Sequence, residues 1–417
     1  MKLLQTALAR GDFVNAQRIK SYSIVFFLGF VVAIAALLAT ADGLLDYMGR
    51  PLGTDFANVW AAGAMVLSGK AAEVYNPALH WAEQQSVFGK PDIPFYGWHY
   101  PPFFLLVAGA LAFLPYLGAL VAWQAATLAA YAAMIRLIVP GTTALLVALA
   151  FPAVFVNLIH GQNGFLTAAL FGAGLSFLDR RPLLAGVFLG LLAYKPHFGL
   201  LLPLVLLVTA RWRPLLSAAA TVLAMAAVTT LTFGTEIWRA FLKSTEFTSA
   251  VVLEAGSTGW EKIHSVFSLA RSLGCPVGAA YALHGATVLG LAAGTVWLWR
   301  RHCDLKVQSA GLVAASVLVT PYALDYDLTA LAPAIAFLVA DGLERGFRPF
   351  EKSILAFAWA APLFSRGIAD VLYLHPGLVG AFMVFFIALS RAAGSGTSGQ
   401  RDTRDAGFGQ RDTGASA

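Results

Sequence analysis

Apolar stretches of about 20 residues recur along most of this 417-residue chain, from Ser23–Ala41 to about residue 390. A helix of that length covers the roughly 30 Å hydrocarbon core of a bilayer. The composition agrees, since 59% of the residues are hydrophobic and 12% are charged, against about 25% charged in soluble domains. We therefore predict an all-α polytopic membrane protein, which excludes a soluble enzyme and a nucleic-acid-binding domain. The net charge of +6 then orients loops across the membrane.

The number of membrane spans follows from testing each apolar stretch against the positions of the basic residues. If the segment 101–114 crosses the membrane, the later Lys and Arg clusters all fall outside, against the positive-inside rule. Fourteen residues also reach only about 21 Å. We therefore predict that 101–114 lies in the outer interface and that both termini are cytoplasmic. The twelve predicted spans are 23–41, 118–138, 142–157, 163–179, 182–195, 197–210, 214–233, 278–299, 307–320, 327–341, 352–366 and 373–390.

This topology predicts one membrane-embedded domain, 1–391, with two long external loops at about 42–117 and 234–277. Residues 392–417 are rich in Gly, Ser, Thr, Asp and Arg, which predicts a disordered cytoplasmic tail. Two short helices in a hairpin are favoured for 182–210 over one helix kinked at Pro196, because arginines flank both ends. Cys275 and Cys303 flank one span, so no disulfide or cysteine metal site is expected.

The non-basic polar motifs and six of the eight histidines fall at the outer ends of the predicted spans. Helix ends that converge on one membrane face form a natural cavity at the lipid boundary. The sequence contains no residues at metal-ligand spacing, no phosphate-binding glycine loop and no nucleophile elbow. We therefore expect a site without metal or cofactor.

Asp55 opens an apolar segment with helical spacing that ends at Ser68-Gly69, which predicts an amphipathic helix on the outer surface. Two roles are open for its carboxylate. It could cap that helix, or it could act as a general base that takes the proton from an acceptor hydroxyl.

Other outer polar residues also have two readings. The aromatic run from Phe95 to Phe104 could stack on sugars or form an interfacial belt. Lys195, at the apex of an apolar hairpin, could bind a lipid phosphate or extend to water. The remaining candidates could contact substrate or cap helices; they are His160, Gln162, Asn163, Asp325 and Asp327.

Three groups of motifs resemble glycosyltransferase family 87, whose members depend on polyprenol-phosphate sugars and belong to the GT-C class. The first runs from Asp55-Phe56 through Tyr75-Asn76-Pro77 to Tyr100-Pro101-Pro102. The second contains His160-Gly161-Gln162-Asn163-Gly164, Asp179-Arg180-Arg181-Pro182 and Tyr194-Lys195-Pro196-His197. The third is Pro321-Tyr322 with Asp325-Tyr326-Asp327. Together they cover residues from about 50 to 390.

The resemblance implies a GT-C fold and inverting transfer of a hexose, by analogy mannose, from a polyprenyl-phosphate carrier to a glycolipid or glycan acceptor on the outer face of the plasma membrane. The acidic residue in the first external loop of this class corresponds to Asp55, the expected general base. Lys195 or Lys262 would neutralise the departing phosphate. The expected substrate-binding residues are His99, Tyr100, His160, Gln162, Asn163, Lys195, His197, Lys262, His264, Asp325, Tyr326 and Asp327.

Two other functions remain open at this point. A flippase or transporter of lipid-linked sugars would place ionisable residues near the middle of the membrane, where this sequence has few. An inactive relative could act as a scaffold. Family members that act on mannolipids often carry two histidines where this chain has Tyr326-Asp327, so the donor sugar and the acceptor stay open.

Overall fold

The computed structural model describes the backbone of residues 2–407 and the side chains of residues 2–394. That part of the chain is helical, and its extended residues form only isolated β-bridges. The α-helices in chain order are α1 (Lys2–Arg10), α2 (Ala16–Ala39), α3 (Phe56–Leu67), α4 (Pro77–Phe88), α5 (Phe103–Leu111), α6 (Tyr116–Ile138), α7 (Thr142–Leu149), α8 (Pro152–His160), α9 (Gly164–Ser176), α10 (Pro182–Leu191), α11 (Leu201–Val208), α12 (Trp212–Phe233), α13 (Glu236–Thr248), α14 (Val266–Ser272), α15 (Val277–Trp299), α16 (Leu305–Leu318), α17 (Leu331–Arg345), α18 (Glu351–Leu372) and α19 (Pro376–Gly407).

Shorter helical turns connect several of these helices and carry many of the polar motifs. A π-helical segment, Ser249–Glu254, continues α13. The 3-10 turns are Ala71–Tyr75, Leu192–Tyr194, Pro196–Gly199, Trp260–Lys262 and Asp325–Ala330.

Among the described residues, seven helices are long and apolar enough to cross a membrane, or eight if α7 and α8, bent by 55°, form one span. All twelve predicted spans coincide with apolar helices, which confirms an all-α polytopic membrane protein. Four of them are shorter than a crossing of about 20 residues requires: Gly164–Ser176, Pro182–Tyr194, Pro196–Val208 and Leu305–Leu318. Twelve crossings therefore stay a prediction.

Residues 182–210 form a hairpin. An Arg211 guanidinium nitrogen pairs with the Asp179 carboxylate, so the chain returns after α11 to the end at which α10 began. A single helix would separate these two residues by the length of about 30 helical residues, roughly 45 Å. The break lies at Lys195, between the two 3-10 turns.

The helix that follows Asp55 is present but is not an amphipathic surface helix. Most of α3 is buried, because α5 packs across it. A β-carbon at Gly63 would lie 2.1 Å from the Ala108 carbonyl oxygen, so only glycine permits this approach. With nine residues, α5 reaches about 14 Å and is too short to cross the membrane.

The C-terminal region differs from the predicted tail at 392–417. The backbone of α19 continues as helix through Gly407. A helix that starts in an apolar span can propagate at little further cost, because each added residue contributes a backbone hydrogen bond. Residues 408–417 lie outside the described residues, so the predicted disorder there stays a prediction.

Candidate active site

Asp55 stands at the N-terminus of α3, but its carboxylate does not cap the helix. Instead, Oδ2 accepts a hydrogen bond of 2.9 Å from Nε2 of Gln162, which is 107 residues further along the chain. Among the described residues, no group donates a hydrogen bond to Oδ1. The side chain is half-buried, so this carboxylate is held at one oxygen and open at the other.

A glycine turn brings Gln162 to Asp55. Gly161 ends α8 with a φ of +63°, in the left-handed region that favours glycine. A β-carbon at this position would lie 2.6 Å from Cβ of Phe56 and 2.9 Å from the Gly53 carbonyl oxygen. The turn after α8 therefore packs directly on the start of α3.

The polar side chains around this turn bind one another rather than capping α9. Tyr100 donates its hydroxyl to Oε1 of Gln162 at 3.2 Å and accepts a hydrogen bond of 2.8 Å from Nδ2 of Asn163. His160 Nδ1 lies 2.7 Å from the hydroxyl of Thr54. Burial, with the nearby Asp55 carboxylate, raises the pKa of Tyr100, so its hydroxyl stays protonated as a donor.

The aromatic run 95–104 is not an interfacial belt over its whole length. Trp98, Tyr100 and Phe104 are buried and contact one another, with ring centroids 4.7–5.9 Å apart. Phe104 also stacks on Tyr194, whereas Phe95 is exposed. Through the Tyr100 hydroxyl, these buried rings connect to Gln162, the hydrogen-bond partner of Asp55.

Lys195 does not extend to water. Its Nζ lies 2.7 Å from Oδ1 of Asp327, and both side chains are buried. The ammonium also lies 4.9 Å from the centroid of the Tyr326 ring. Asp327 Oδ2 accepts a hydrogen bond from the backbone N–H of Leu324, so this carboxylate also caps the turn Asp325–Ala330.

We expect the buried pair of Lys195 and Asp327 to be strongly coupled. Lys195→Met and Asp327→Asn should each lower the Tm of the purified protein in detergent, because each leaves a buried charge without its partner. The double variant should recover part of the loss, with a coupling free energy of about 0.5–3 kcal/mol. Additive changes in Tm would contradict this coupling.

The other predicted site residues lie around this centre in separate groups. His99 Nδ1 lies 2.8 Å from the Thr248 hydroxyl, and burial lowers the pKa of His99 to about 4 although Asp55 acts against that shift. His197 Nδ1 lies 3.0 Å from the Tyr322 hydroxyl. Lys262 ends the turn Trp260–Lys262, and its ammonium has no ion pair within residues 2–394.

His264 faces His375, with ring centroids 5.9 Å apart. Both rings are buried, and none of their nitrogens has a hydrogen-bond partner in the described part of the chain. Burial, with smaller contributions from His375 and Arg366, lowers the pKa of His264 to about 3, so the ring is neutral at pH 7. His375 was expected at the outer helix ends but not as a site residue, and Arg366 was not predicted near the site.

Two polar residues that were not predicted as site residues bind the Gln162 backbone from within helices. Gln124 and Asn157 donate side-chain hydrogen bonds of 3.2 and 3.0 Å to the Gln162 carbonyl oxygen. A polar side chain inside a predicted span was the available signal, since such residues need a partner in an apolar environment. Tyr194 adds hydrogen bonds to Thr167 and to the Asn163 carbonyl.

A second polar group lies at the opposite ends of the helices, away from Asp55. Its centre is the Arg391 guanidinium of α19, which contacts the carboxylates of Asp341 and Glu351. Asp304 pairs with Arg345 at the same end. Cys275 and Cys303 are free thiols at opposite ends of α15. Across the described residues, no group of three or more His, Cys, Asp or Glu is placed to hold a metal ion.

The chain is similar to a known protein family. The model of glycosyltransferase family 87 matches residues 98–321, more than half of the chain. The match includes the turn His160–Asn163, Lys195 and the loop 234–277 with Lys262, but starts after Asp55. No curated protein and no solved structure matches the chain.

Proposed function

This chain belongs to glycosyltransferase family 87, and from that premise we propose that it transfers a hexose, mannose by analogy, from a polyprenyl-phosphate carrier to a glycolipid or glycan acceptor. Family membership makes it a membrane glycosyltransferase rather than a transporter. The observation that carries the proposed reaction is the Asp55 carboxylate, held at Oδ2 by Gln162 and open at Oδ1.

In the proposed step, the acceptor hydroxyl oxygen forms a bond to the anomeric carbon as the bond from that carbon to the phosphate oxygen breaks. The hydroxyl proton passes to Asp55, and the polyprenyl phosphate leaves with the electron pair. A single displacement of this kind inverts the anomeric configuration. It requires one base, which agrees with a single open carboxylate oxygen at this site.

Cations near the site would stabilise the departing phosphate. Lys262 is the more available of the two predicted lysines, because Lys195 already pairs with Asp327. The sugar would contact the turn that carries Asp325 and Tyr326. The Tyr326 ring packs against the Lys195 ammonium, and Asp325 Oδ1 accepts a hydrogen bond from the Tyr326 backbone N–H.

We place the site at the outer face of the plasma membrane, with both termini in the cytoplasm. The support is the separation of charges along the helices. Asp55 and its partners lie at one end of the helices, whereas the basic residues Arg180, Arg211, Arg345, Arg348 and Arg391 lie at the other. Basic residues are concentrated on the cytoplasmic side of membrane proteins.

The test is release of polyprenyl phosphate by the purified protein from a panel of polyprenyl-phosphate hexoses, in the presence of a membrane-lipid extract. Turnover of one donor, with the sugar recovered on a lipid or glycan in the opposite anomeric configuration, is the expected result. Turnover of nucleotide sugars alone would contradict the proposed donor class. Retained configuration would contradict the single displacement.

A further inference from the structure

The carboxylate of Asp55 has one hydrogen-bond donor among the described residues, and that donor is Nε2 of Gln162. The Gln162 amide is itself fixed by groups of the protein. Its Oε1 accepts a hydrogen bond of 3.2 Å from the Tyr100 hydroxyl and one of 3.3 Å from the Asn163 backbone N–H. Because Oε1 faces these donors, the NH₂ group must face Asp55.

The Tyr100 hydroxyl is in turn oriented by Asn163. Asn163 donates Nδ2 to the Tyr100 hydroxyl at 2.8 Å, so the phenol proton is free to point to Gln162. The backbone of Gln162 is anchored as well, through its carbonyl oxygen and the packing of Gly161. The side chains that lead to Asp55, those of Asn163, Tyr100 and Gln162, are all buried.

We propose that Gln162 is a positioning residue for Asp55 and not a contact of the sugar, an inference that rests on the proposed glycosyl transfer. The hydrogen bond to Oδ2 fixes the rotation of the carboxylate and leaves Oδ1 to receive the proton of the acceptor. Tyr100 and Asn163 act behind it by holding the orientation of the amide.

Other ionisable groups also act on this carboxylate. They are Tyr96, His99 and Tyr100 from the first external loop, Tyr116 from α6, and Asp325 with Tyr326 from the turn before α17. His160 from α8 lies beside them and is hydrogen-bonded to Thr54, the residue before Asp55. Apart from Gln162, none of the described residues donates a hydrogen bond to Asp55. The effect of Gln162 can therefore be separated from theirs by substitution.

The experiment compares Gln162→Leu, Gln162→Glu and Tyr100→Phe with wild type. Gln162→Leu should lower kcat about 10- to 100-fold with little change in the donor KM. The acidic limb of the pH–rate profile should move to higher pH, because the ionised carboxylate has lost its donor. Tyr100→Phe should produce a smaller change in the same direction. Gln162→Glu, which keeps the side-chain size, should move the limb furthest, since it adds a negative charge beside Asp55.

Gln308→Leu is the matched control. Gln308 is also a buried glutamine that donates its amide, here to the Arg301 carbonyl, but it lies in α16 at the opposite end of the helices. Its substitution should leave kcat and the pH profile unchanged. A raised donor KM in Gln162→Leu, with kcat and the acidic limb as in wild type, would overturn the proposal and make Gln162 a sugar contact.

A second readout does not depend on turnover. Infrared difference spectra on acidification should contain a carboxylic-acid band that disappears in Asp55→Asn, and this band should develop at higher pH in Gln162→Leu. An unchanged titration in Gln162→Leu would overturn the positioning role. If the titration shifts in Gln162→Leu but the wild-type protein transfers no hexose, the positioning role of Gln162 stands and the proposed reaction is refuted.

Discussion

Asp55→Asn is expected to reduce the rate of hexose transfer by about 10²- to 10⁴-fold, the usual contribution of a general base. The substitution keeps the shape of the side chain and can keep the hydrogen bond from Gln162, so the fold should be preserved. What it removes is the capacity of the second oxygen to accept a proton. The measurement is polyprenyl phosphate release per molecule of folded protein.

Asp92→Asn is the control for this substitution, because Asp92 is exposed, lies between α2 and α6 in sequence as Asp55 does, and undergoes the same loss of charge. It should transfer hexose at the wild-type rate. Wild-type activity in Asp55→Asn would remove Asp55 from the chemistry. Since Asp55 does not cap α3, a loss of activity could not be explained by a lost helix cap, and equal Tm values for the two variants would establish this.

Arg391→Leu is expected to be the most destabilising substitution at the opposite end of the helices. The Arg391 guanidinium joins three helices, because it contacts Asp341 of α17 and Glu351 of α18 and donates to the Gly346 carbonyl at 3.0 Å. All three charged side chains are buried. Its removal leaves Glu351 without its cation and Asp341 with only the exposed Arg345, whose Nε lies 3.3 Å from Oδ1, a cost of about 3–5 kcal/mol.

This cost should lower Tm in detergent by about 3–6 °C. Arg239→Leu is the matched control, because its ion pair with Glu236 on α13 is exposed and should contribute about 0–1 kcal/mol. Replacing Arg391, Asp341 and Glu351 together by apolar residues should restore much of the stability. A Tm for Arg391→Leu equal to that of the control would refute the structural role of this cluster.

The family and the general architecture could be predicted from the sequence because they depend on local features. Apolar runs of helical length mark the spans, and Lys195-Pro196 marks the break in the 182–210 hairpin. The helix predicted after Asp55 is present, but the prediction that it lies on the surface was wrong. Its small residues, such as Gly63, admit α5 so closely that most of the helix is buried inside the protein.

The sequence by itself determined that this chain is a helical membrane protein of a glycosyltransferase family and brought Asp55, Gln162 and Lys195 forward as candidates. Only the tertiary structure decided what these side chains do. Asp55 binds Gln162 rather than its own helix, and Lys195 pairs with Asp327, 132 residues away, rather than with water. The physical reason is that hydrogen bonds and ion pairs act over about 3 Å, so the partner of a polar residue is known only once packing has brought distant helix ends together.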